Sequence, residues 1–179
     1  VCTACQLGKA SRLSFSTLPC TSSRPLQLLH TDVWGPSPTP SCTGYRFYII
    51  IVDDFTKYGW LYPLHFKSDV FSTLKTFILK IQTLLDLKVQ SLRSDSGGEF
   101  LNKSLQSFFN DQGITHQLSW PHTPEQNECA ERKHRHVVEM GRTLLSQSDL
   151  PAQFWVEAFQ TAIYLINRLP FQSSTVSPW

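Results

Sequence analysis

Three acidic residues stand at the ends of predicted elements, where their carboxylates could act together. Asp32 lies near the end of the first predicted strand, Asp95 directly follows the fourth, and Glu131 lies early in a long predicted helix. Sites in open α/β sheets gather beyond the carboxyl ends of strands. If the first and fourth strands are neighbours, Asp32 and Asp95 meet at that edge, and a helix packed beside them adds Glu131.

Such a group of carboxylates favours hard divalent cations, because three like charges without a basic partner repel one another. Mg²⁺ is bound through a few carboxylates together with substrate phosphate oxygens. Two such ions about 3.5 to 4 Å apart can activate a water or hydroxyl and stabilise a leaving oxygen at phosphorus. The pattern therefore predicts phosphoryl transfer at this edge of the sheet.

Each of these carboxylates also has a structural interpretation. A single Asp at a strand end commonly forms a turn, and a single helical Glu commonly faces solvent. Three further acidic residues have similar individual claims to a site, namely Asp53, Asp54 and Glu99. The pattern alone leaves this choice open.

A basic segment that includes Arg132, Lys133 and Arg135 follows Glu131 on the same helix. These side chains could neutralise phosphates. Glu131 and Arg135 are also four positions apart, so they could equally form an ion pair on a solvated helix face. His30, two positions before Asp32, is interpreted as a hydrogen-bonded structural residue.

The elements that must position these residues are predicted from apolar periodicity. Alternating or continuous apolar runs predict five strands, and apolar residues spaced three and four apart predict the helices between and after the later strands. Short connections make the first three strands an antiparallel meander, and a crossover helix makes the fourth parallel to its neighbour. Together these strands and helices predict a single α/β domain with a mixed sheet. Strands are predicted over 26–34, 45–52, 58–64, 89–94 and 114–120, and helices over 68–85, 101–112, 123–146 and 151–169. Ser68 is expected to cap the first helix, Gly113 to end the second, and a capping box that begins at Thr123 to open the third.

Composition excludes several classes of protein. Charged residues make up 17% of the 179 residues, too few for a disordered charged tail. No apolar run approaches the roughly 20 residues of a membrane span, and no signal-peptide pattern opens the chain. A net charge of +2 leaves nucleic-acid binding open. The chain, from Val1 to Trp179, is interpreted as a piece of a longer polypeptide.

The five cysteines include one spaced pair, Cys2 and Cys5. An odd count without paired spacing favours a reducing compartment over a disulfide framework. C-x-x-C supplies half of a tetrahedral zinc site. The pair is therefore either two free thiols or the last knuckle of a zinc module whose other ligands lie upstream.

Four ordered blocks of the chain resemble a known family. They are His30–Pro36 (HTDVWGP), Val52–Lys57 (VDDFTK), Arg93–Phe100 (RSDSGGEF) and Thr123–Lys133 (TPEQNECAERK). Residues 26–170 resemble the integrase catalytic core of copia-type LTR retrotransposon polyproteins, within the retroviral integrase superfamily. The 35 residues between Asp95 and Glu131 match the interval of integrase Asp-Asp-Glu triads.

The resemblance implies a ribonuclease-H-like fold and a polynucleotidyl transferase with endonuclease activity that uses Mg²⁺ or Mn²⁺. Such an enzyme trims the 3′ ends of element DNA, with water as the nucleophile. It then joins these ends to target DNA through their 3′ hydroxyls. Asp32, Asp95 and Glu131 correspond to its catalytic metal ligands.

The resemblance also implies DNA contacts and flanking modules. Four residues fall in the segment that faces element DNA: Asn127, Arg132, Lys133 and Arg135. Residues 1–25 would be a linker and the end of a zinc module, with Cys2 and Cys5 as a partial Zn²⁺ site, and residues 171–179 would begin a C-terminal extension. The expected partners are double-stranded DNA, from element ends and target, and further copies of the chain, with no membrane. The expected location is the nucleus, after a stage in a cytoplasmic particle.

The sequence departs from the family pattern before the third acidic residue. Glu128 and Cys129 stand where the family usually has Gly-Val, and Ser96 and His134 each replace a common Asn. An alternative reading is therefore a catalytically decayed integrase remnant that binds DNA. A ribonuclease H or resolvase on the same fold is a second enzyme reading, which these flanking blocks disfavour.

Overall fold

The computed structural model describes residues 22–119 and 128–169, which form one five-stranded sheet with helices on both faces. Short 3₁₀ turns, Lys67–Asp69 and Ala152–Phe154, precede the first and last helices. The strands are β1 (Leu28–Trp34), β2 (Phe47–Asp53), β3 (Gly59–Leu64), β4 (Ser91–Ser94) and β5 (Thr115–Leu118), and the helices are α1 (Val70–Leu85), α2 (Lys103–Gln112), α3 (Glu128–Ser148) and α4 (Trp155–Ile166).

The strand order is β3-β2-β1-β4-β5, in which β1, β2 and β3 are antiparallel and β4 and β5 are parallel additions. This confirms the predicted mixed sheet. The connection from β2 to β3 is a tight turn, whereas α1 carries the chain across the sheet to β4. Strand β3 is an edge of this sheet and contains Pro63, a residue that sheets tolerate mainly at their edges.

Both faces of the sheet are buried, because successive side chains of a strand point to opposite sides. On β2, Ile49 and Ile51 belong to the core under α1 and α2. Tyr48, Ile50 and Val52 belong to the core under α3 and α4. The continuous apolar run of this central strand therefore follows from helices covering both of its sides.

Helices α3 and α4 approach closely where α3 has a glycine. A Cβ atom added at Gly141 would lie 2.3 Å from Cδ1 of Phe159, inside any real contact distance. The absence of a side chain lets the buried ring of Phe159 pack against the α3 backbone. Because α3 also packs against β1 and β2, this contact fixes the helix that carries Glu131.

The predicted start of the first helix differs from the structure. Ser68 does not cap α1, because the preceding 3₁₀ turn moves the helix start to Val70. Asp69 stabilises that turn by accepting hydrogen bonds from the backbone amides of His65 and Phe66. The predicted capping box that begins at Thr123 lies outside the described residues.

The C-terminal stop of α2 is as predicted. Gly113 has a left-handed φ of 68°, a conformation that glycine adopts without strain. The flanking segments 1–21 and 170–179 are not described, so the domain boundaries at residues 25 and 170 stay predictions.

Candidate active site

Strand pairing brings the first two acidic residues together. Strands β1 and β4 are parallel neighbours, with His30 opposite Arg93. Continuing this register by two residues places Asp95 beside Asp32, at the carboxyl end of both strands. The sequence predicted this adjacency from the crossover through α1.

Glu131 reaches the same region from α3, which packs across β1 and β2. The charge of Asp32 is coupled to three other carboxylates, those of Asp95, Glu131 and Glu99. Burial is the largest cause that raises the pKa of Asp32 to about 6, followed by repulsion from Asp95, while a hydrogen bond from the Val33 amide opposes them. The structure therefore assembles an acidic cluster around a half-buried aspartate.

A glycine shapes the loop that carries Asp95. The Gly97 amide donates a 3.0 Å hydrogen bond to Oδ1 of Asp95. A Cβ atom at Gly97 would lie 2.9 Å from Oε2 of Glu99 and 3.0 Å from Oδ1 of Asp95. A larger residue would push these carboxylates out of place, so the glycine permits their close approach.

The three rival acidic residues make contacts of other kinds. Asp53 accepts hydrogen bonds from the backbone amides of Leu26 and Thr56, which join the segment before β1 and the turn between β2 and β3 to the end of β2. Glu99 accepts a 2.8 Å ion-pair hydrogen bond from Lys67 while it adds negative charge to the acidic cluster. Asp53 therefore has a structural role, and Glu99 borders the cluster.

Asp54 is buried among polar partners. It accepts hydrogen bonds from Ser22 at 2.6 Å and from the Lys57 ammonium at 2.9 Å, and His30 Nε2 lies 3.3 Å from it. Burial acts to raise the pKa of Asp54, but the hydrogen bonds from His30, Lys57 and Ser22 hold that pKa well below its ordinary value. The structural interpretation of His30 agrees with this contact.

Sequence reasoning missed a polar contact that links α3 to the sheet. The hydroxyl of buried Tyr48 on β2 hydrogen-bonds to Nδ1 of His134 on α3. Both rings pack around Trp34 of β1, two residues beyond Asp32. No signal in the sequence links these residues, since Tyr48 reads as core and His134 as part of a basic segment 86 positions later.

The basic residues of α3 separate into two environments. Arg132 and Arg135 are exposed, whereas Lys133 is half-buried, with its chain running beside Gly59 of β3. Burial lowers the pKa of Lys133 to about 8, with Cys129 opposing the shift and Lys57 adding to it. The other predicted ligands and DNA contacts, Asn127, Cys2 and Cys5, lie outside the described residues.

The acidic cluster has the donor chemistry of a magnesium or manganese site. Carboxylate oxygens are the ligands that these hard cations prefer. A cation bound by Asp32, Asp95 and Glu131 would relieve the repulsion that raises the pKa of Asp32. Glu99 borders the same site, with Oε2 beside Gly97 and Oε1 bound by the Lys67 ammonium.

Comparison with known families decides the classification. The family described as integrase core domain matches residues 22–124. The chain belongs to the integrase core domain family. The match covers the segment that holds both aspartates of the acidic cluster, and it confirms the resemblance drawn from the four sequence blocks.

Relatives of this integrase core are transposon polyproteins. The chain is 47% and 46% identical, over 169 residues, to the retrovirus-related Pol polyproteins from transposons RE2 and RE1 of Arabidopsis thaliana. It is 37% identical over 169 residues to that from transposon TNT 1-94 of Nicotiana tabacum. Each alignment covers 94% of this chain but only 11% to 13% of the relative. The integrase core thus corresponds to a small part of those polyproteins.

Solved structures share the ribonuclease-H-like fold of this integrase core. One is a simian T-cell lymphotropic virus intasome in complex with PP2A regulatory subunit B56 gamma, with a TM-score of 0.69, 18% identity, and coverage of 87% of this chain and 53% of that one. Another is the dimeric HTLV-2 integrase catalytic core domain in complex with magnesium, with a TM-score of 0.62, 20% identity, and coverage of 87% and 94%. At these identities the likeness concerns the fold.

Proposed function

We propose that this integrase core is a polynucleotidyl transferase that processes the 3′ ends of retrotransposon DNA and inserts them into target DNA. The observation that carries the proposal is the acidic cluster. The β1–β4 register sets Asp95 beside Asp32, and the charges of both Asp95 and Glu131 act on Asp32. Family membership and the transposon polyprotein relatives agree with this reaction class.

The residues divide the work by position. Asp32, Asp95 and Glu131 would hold two Mg²⁺ or Mn²⁺ ions, which activate a nucleophile and stabilise the leaving oxygen at phosphorus. Exposed Arg132 and Arg135 continue from this site along α3, where they would bind DNA phosphates. The magnesium complex of the HTLV-2 core supports a divalent cation in this fold.

The DNA-facing segment includes two further proposed contacts, Asn127 and Lys133. We assign the double-stranded ends of the element and the target duplex as partners. Assembly into a homo-oligomer is supported by the dimeric HTLV-2 core and the viral intasome among the structural neighbours. None of the helices within 22–119 and 128–169 is long and apolar enough to cross a bilayer.

The longer parent protein would contribute a zinc-binding module and would act in the nucleus. In the complete upstream module, Cys2 and Cys5 would supply two of four zinc ligands. Because the target is chromosomal DNA, the nucleus is the proposed place of action, after a stage in a cytoplasmic particle.

A joining assay tests the catalytic proposal. Purified chain is mixed with oligonucleotides that copy the element ends and with a target duplex, in Mg²⁺ and in Mn²⁺. Asp95→Asn should lower joining at least about 100-fold, since metal-ion catalysis supplies several kcal/mol of transition-state stabilisation. The exposed α2 variant Asp111→Asn should leave joining unchanged.

Two outcomes of that assay contradict the proposal. Joining that survives Asp95→Asn would remove Asp95 from the mechanism. DNA binding by the native chain without any joining would support the decayed remnant, which the replacement of the usual Gly-Val by Glu128 and Cys129 favours.

A further inference from the structure

A second group of metal-ligating side chains lies beneath the start of α3, and it does not belong to the acidic triad. It consists of His30 on β1, Asp54 after β2 and Cys129 in the first turn of α3. One donor atom from each lies within 4.8 Å of the other two. Three separate elements of the fold therefore converge on one point with a nitrogen, an oxygen and a sulfur donor.

The buried side chain of His30 lacks one of the hydrogen bonds that its ring nitrogens can make. It is 3% exposed, and its Nδ1 atom is buried without a hydrogen-bond partner. Buried polar atoms without partners are rare in folded proteins and call for an explanation. Because no partner holds Nδ1, either ring nitrogen of His30 can carry the proton, and Nε2 can therefore present its lone pair to a metal.

The contact between His30 and Asp54 has the spacing of two ligands on one metal. Nε2 and Oδ1 are 3.3 Å apart, longer than the roughly 2.7 to 2.9 Å of a charge-assisted hydrogen bond. Two ligands at about 2.0 to 2.2 Å from a tetrahedral zinc lie roughly 3.3 to 3.5 Å apart. Binding would therefore require little movement of these two buried groups.

We propose that His30, Asp54 and Cys129 form a site for a thiophilic divalent cation of the Zn²⁺ class. An imidazole, a thiolate and a carboxylate are zinc ligands, whereas the all-carboxylate cluster suits Mg²⁺. Cys129 is only partly buried, so solvent can reach the group and supply a fourth ligand. The site is separate from the proposed catalytic site and does not depend on the proposed function.

The Zn²⁺-class site would fasten the first turn of α3 to the sheet. Cys129 lies two residues before Glu131, and the other two ligands belong to β1 and the β2 turn. A metal bond at Cys129 would therefore restrict the backbone that carries the third acidic residue.

Lys57 competes for the same oxygen of Asp54. Its ammonium group lies 2.9 Å from Oδ1. A divalent cation must displace this ammonium group or be repelled by it. Removing the charge of Lys57 should therefore tighten metal binding, which a structural role for this polar cluster alone does not predict.

Co²⁺ titration of the full-length chain tests the proposal. Co²⁺ bound to a thiolate gives a charge-transfer absorption, whereas Co²⁺ bound only by the carboxylates of the acidic cluster does not. The background carries Cys2→Ser and Cys5→Ser, which removes the other candidate thiol site. We expect one equivalent of Co²⁺ to give this absorption and Zn²⁺ to abolish it. Cys129→Val should weaken binding at least about tenfold, and the matched exposed-thiol variant Cys42→Ser should not.

Two further variants complete the design. Lys57→Met should bind Co²⁺ more tightly, and Asp95→Asn should leave the absorption unchanged because Asp95 belongs to the acidic cluster. Zn²⁺ should raise the melting temperature of the background protein but not of its Cys129→Val form, whose apolar side chain suits the packing. Absence of the absorption in the background, or its persistence in Cys129→Val, would overturn the proposal.

Discussion

Asp32 and Asp54 face opposite electrostatic environments within one sheet. Asp32 is surrounded by other carboxylates, and burial together with this repulsion raises its pKa to about 6. Asp54 is also buried, yet Lys57, His30 and Ser22 hold its pKa well below the ordinary value. The contrast indicates that ionised Asp54 stabilises the fold, whereas ionised Asp32 destabilises it until a bound cation offsets the repulsion.

The largest effect should come from removing the charge of Asp54. Asp54→Asn leaves the Lys57 ammonium without its partner and disrupts the hydrogen bond from Ser22. We expect a loss of about 3 kcal/mol in the free energy of unfolding, measured by urea denaturation at neutral pH. The matched variant Asp111→Asn on exposed α2 should change it by less than about 0.5 kcal/mol. A near-neutral result for Asp54→Asn would remove the structural half of the comparison.

Asp32→Asn should act in the opposite direction. In EDTA at neutral pH, the variant should be more stable than the native chain by about 2 kcal/mol, because it no longer buries a repelled carboxylate. The pKa of Asp32 is raised on folding, so the native protein binds more protons than the unfolded chain between pH 4 and 6. Stability from this group is therefore lost as the pH rises through that window.

Denaturation curves at several pH values check this sign. The native chain should lose stability relative to Asp32→Asn as the pH rises from 4 through 6, and the difference should be constant above about pH 7. Added Mg²⁺ should stabilise the native chain and not the variant. A destabilised Asp32→Asn protein in EDTA would show that this carboxylate is held by attraction, and the comparison would fail.

The smallest effect concerns the contact that sets α3 over the acidic cluster. Tyr48→Phe removes the hydrogen bond to His134, and we expect a loss of about 1 kcal/mol in stability. Joining activity should fall by more than stability predicts, because α3 carries Glu131. Tyr164→Phe, on an exposed ring of α4, is the hydroxyl control. Equal activities of the two variants would exclude a positioning role for Tyr48.

Much of the fold follows from local pattern in the sequence. The alternation in β1 and β3, the apolar run of β2 and the stripe of α1 each predict their element, and the crossover predicts that β1 and β4 are neighbours. The start of α1 was wrong at Ser68, since the side chain of Asp69 bonds two upstream amides and stabilises a 3₁₀ turn first.

Contacts between polar residues far apart in the chain could not be predicted. Lys67 pairs with Glu99 32 positions later, and Tyr48 with His134 86 positions later. Neither pair has a periodic or spacing signal, because its geometry depends on how the helices settle on the sheet. The acidic triad was accessible only because strand ends and a family interval mark its members.

Pro63 has a consequence for how copies of this domain can meet. It lies on β3, the outer strand on one side of the sheet, and a proline has no amide hydrogen to offer a newcomer. A strand of a neighbouring molecule that paired with β3 would lack one backbone hydrogen bond at this position. Copies of this domain that joined through their sheets would therefore do so at the other edge, β5, rather than past Pro63.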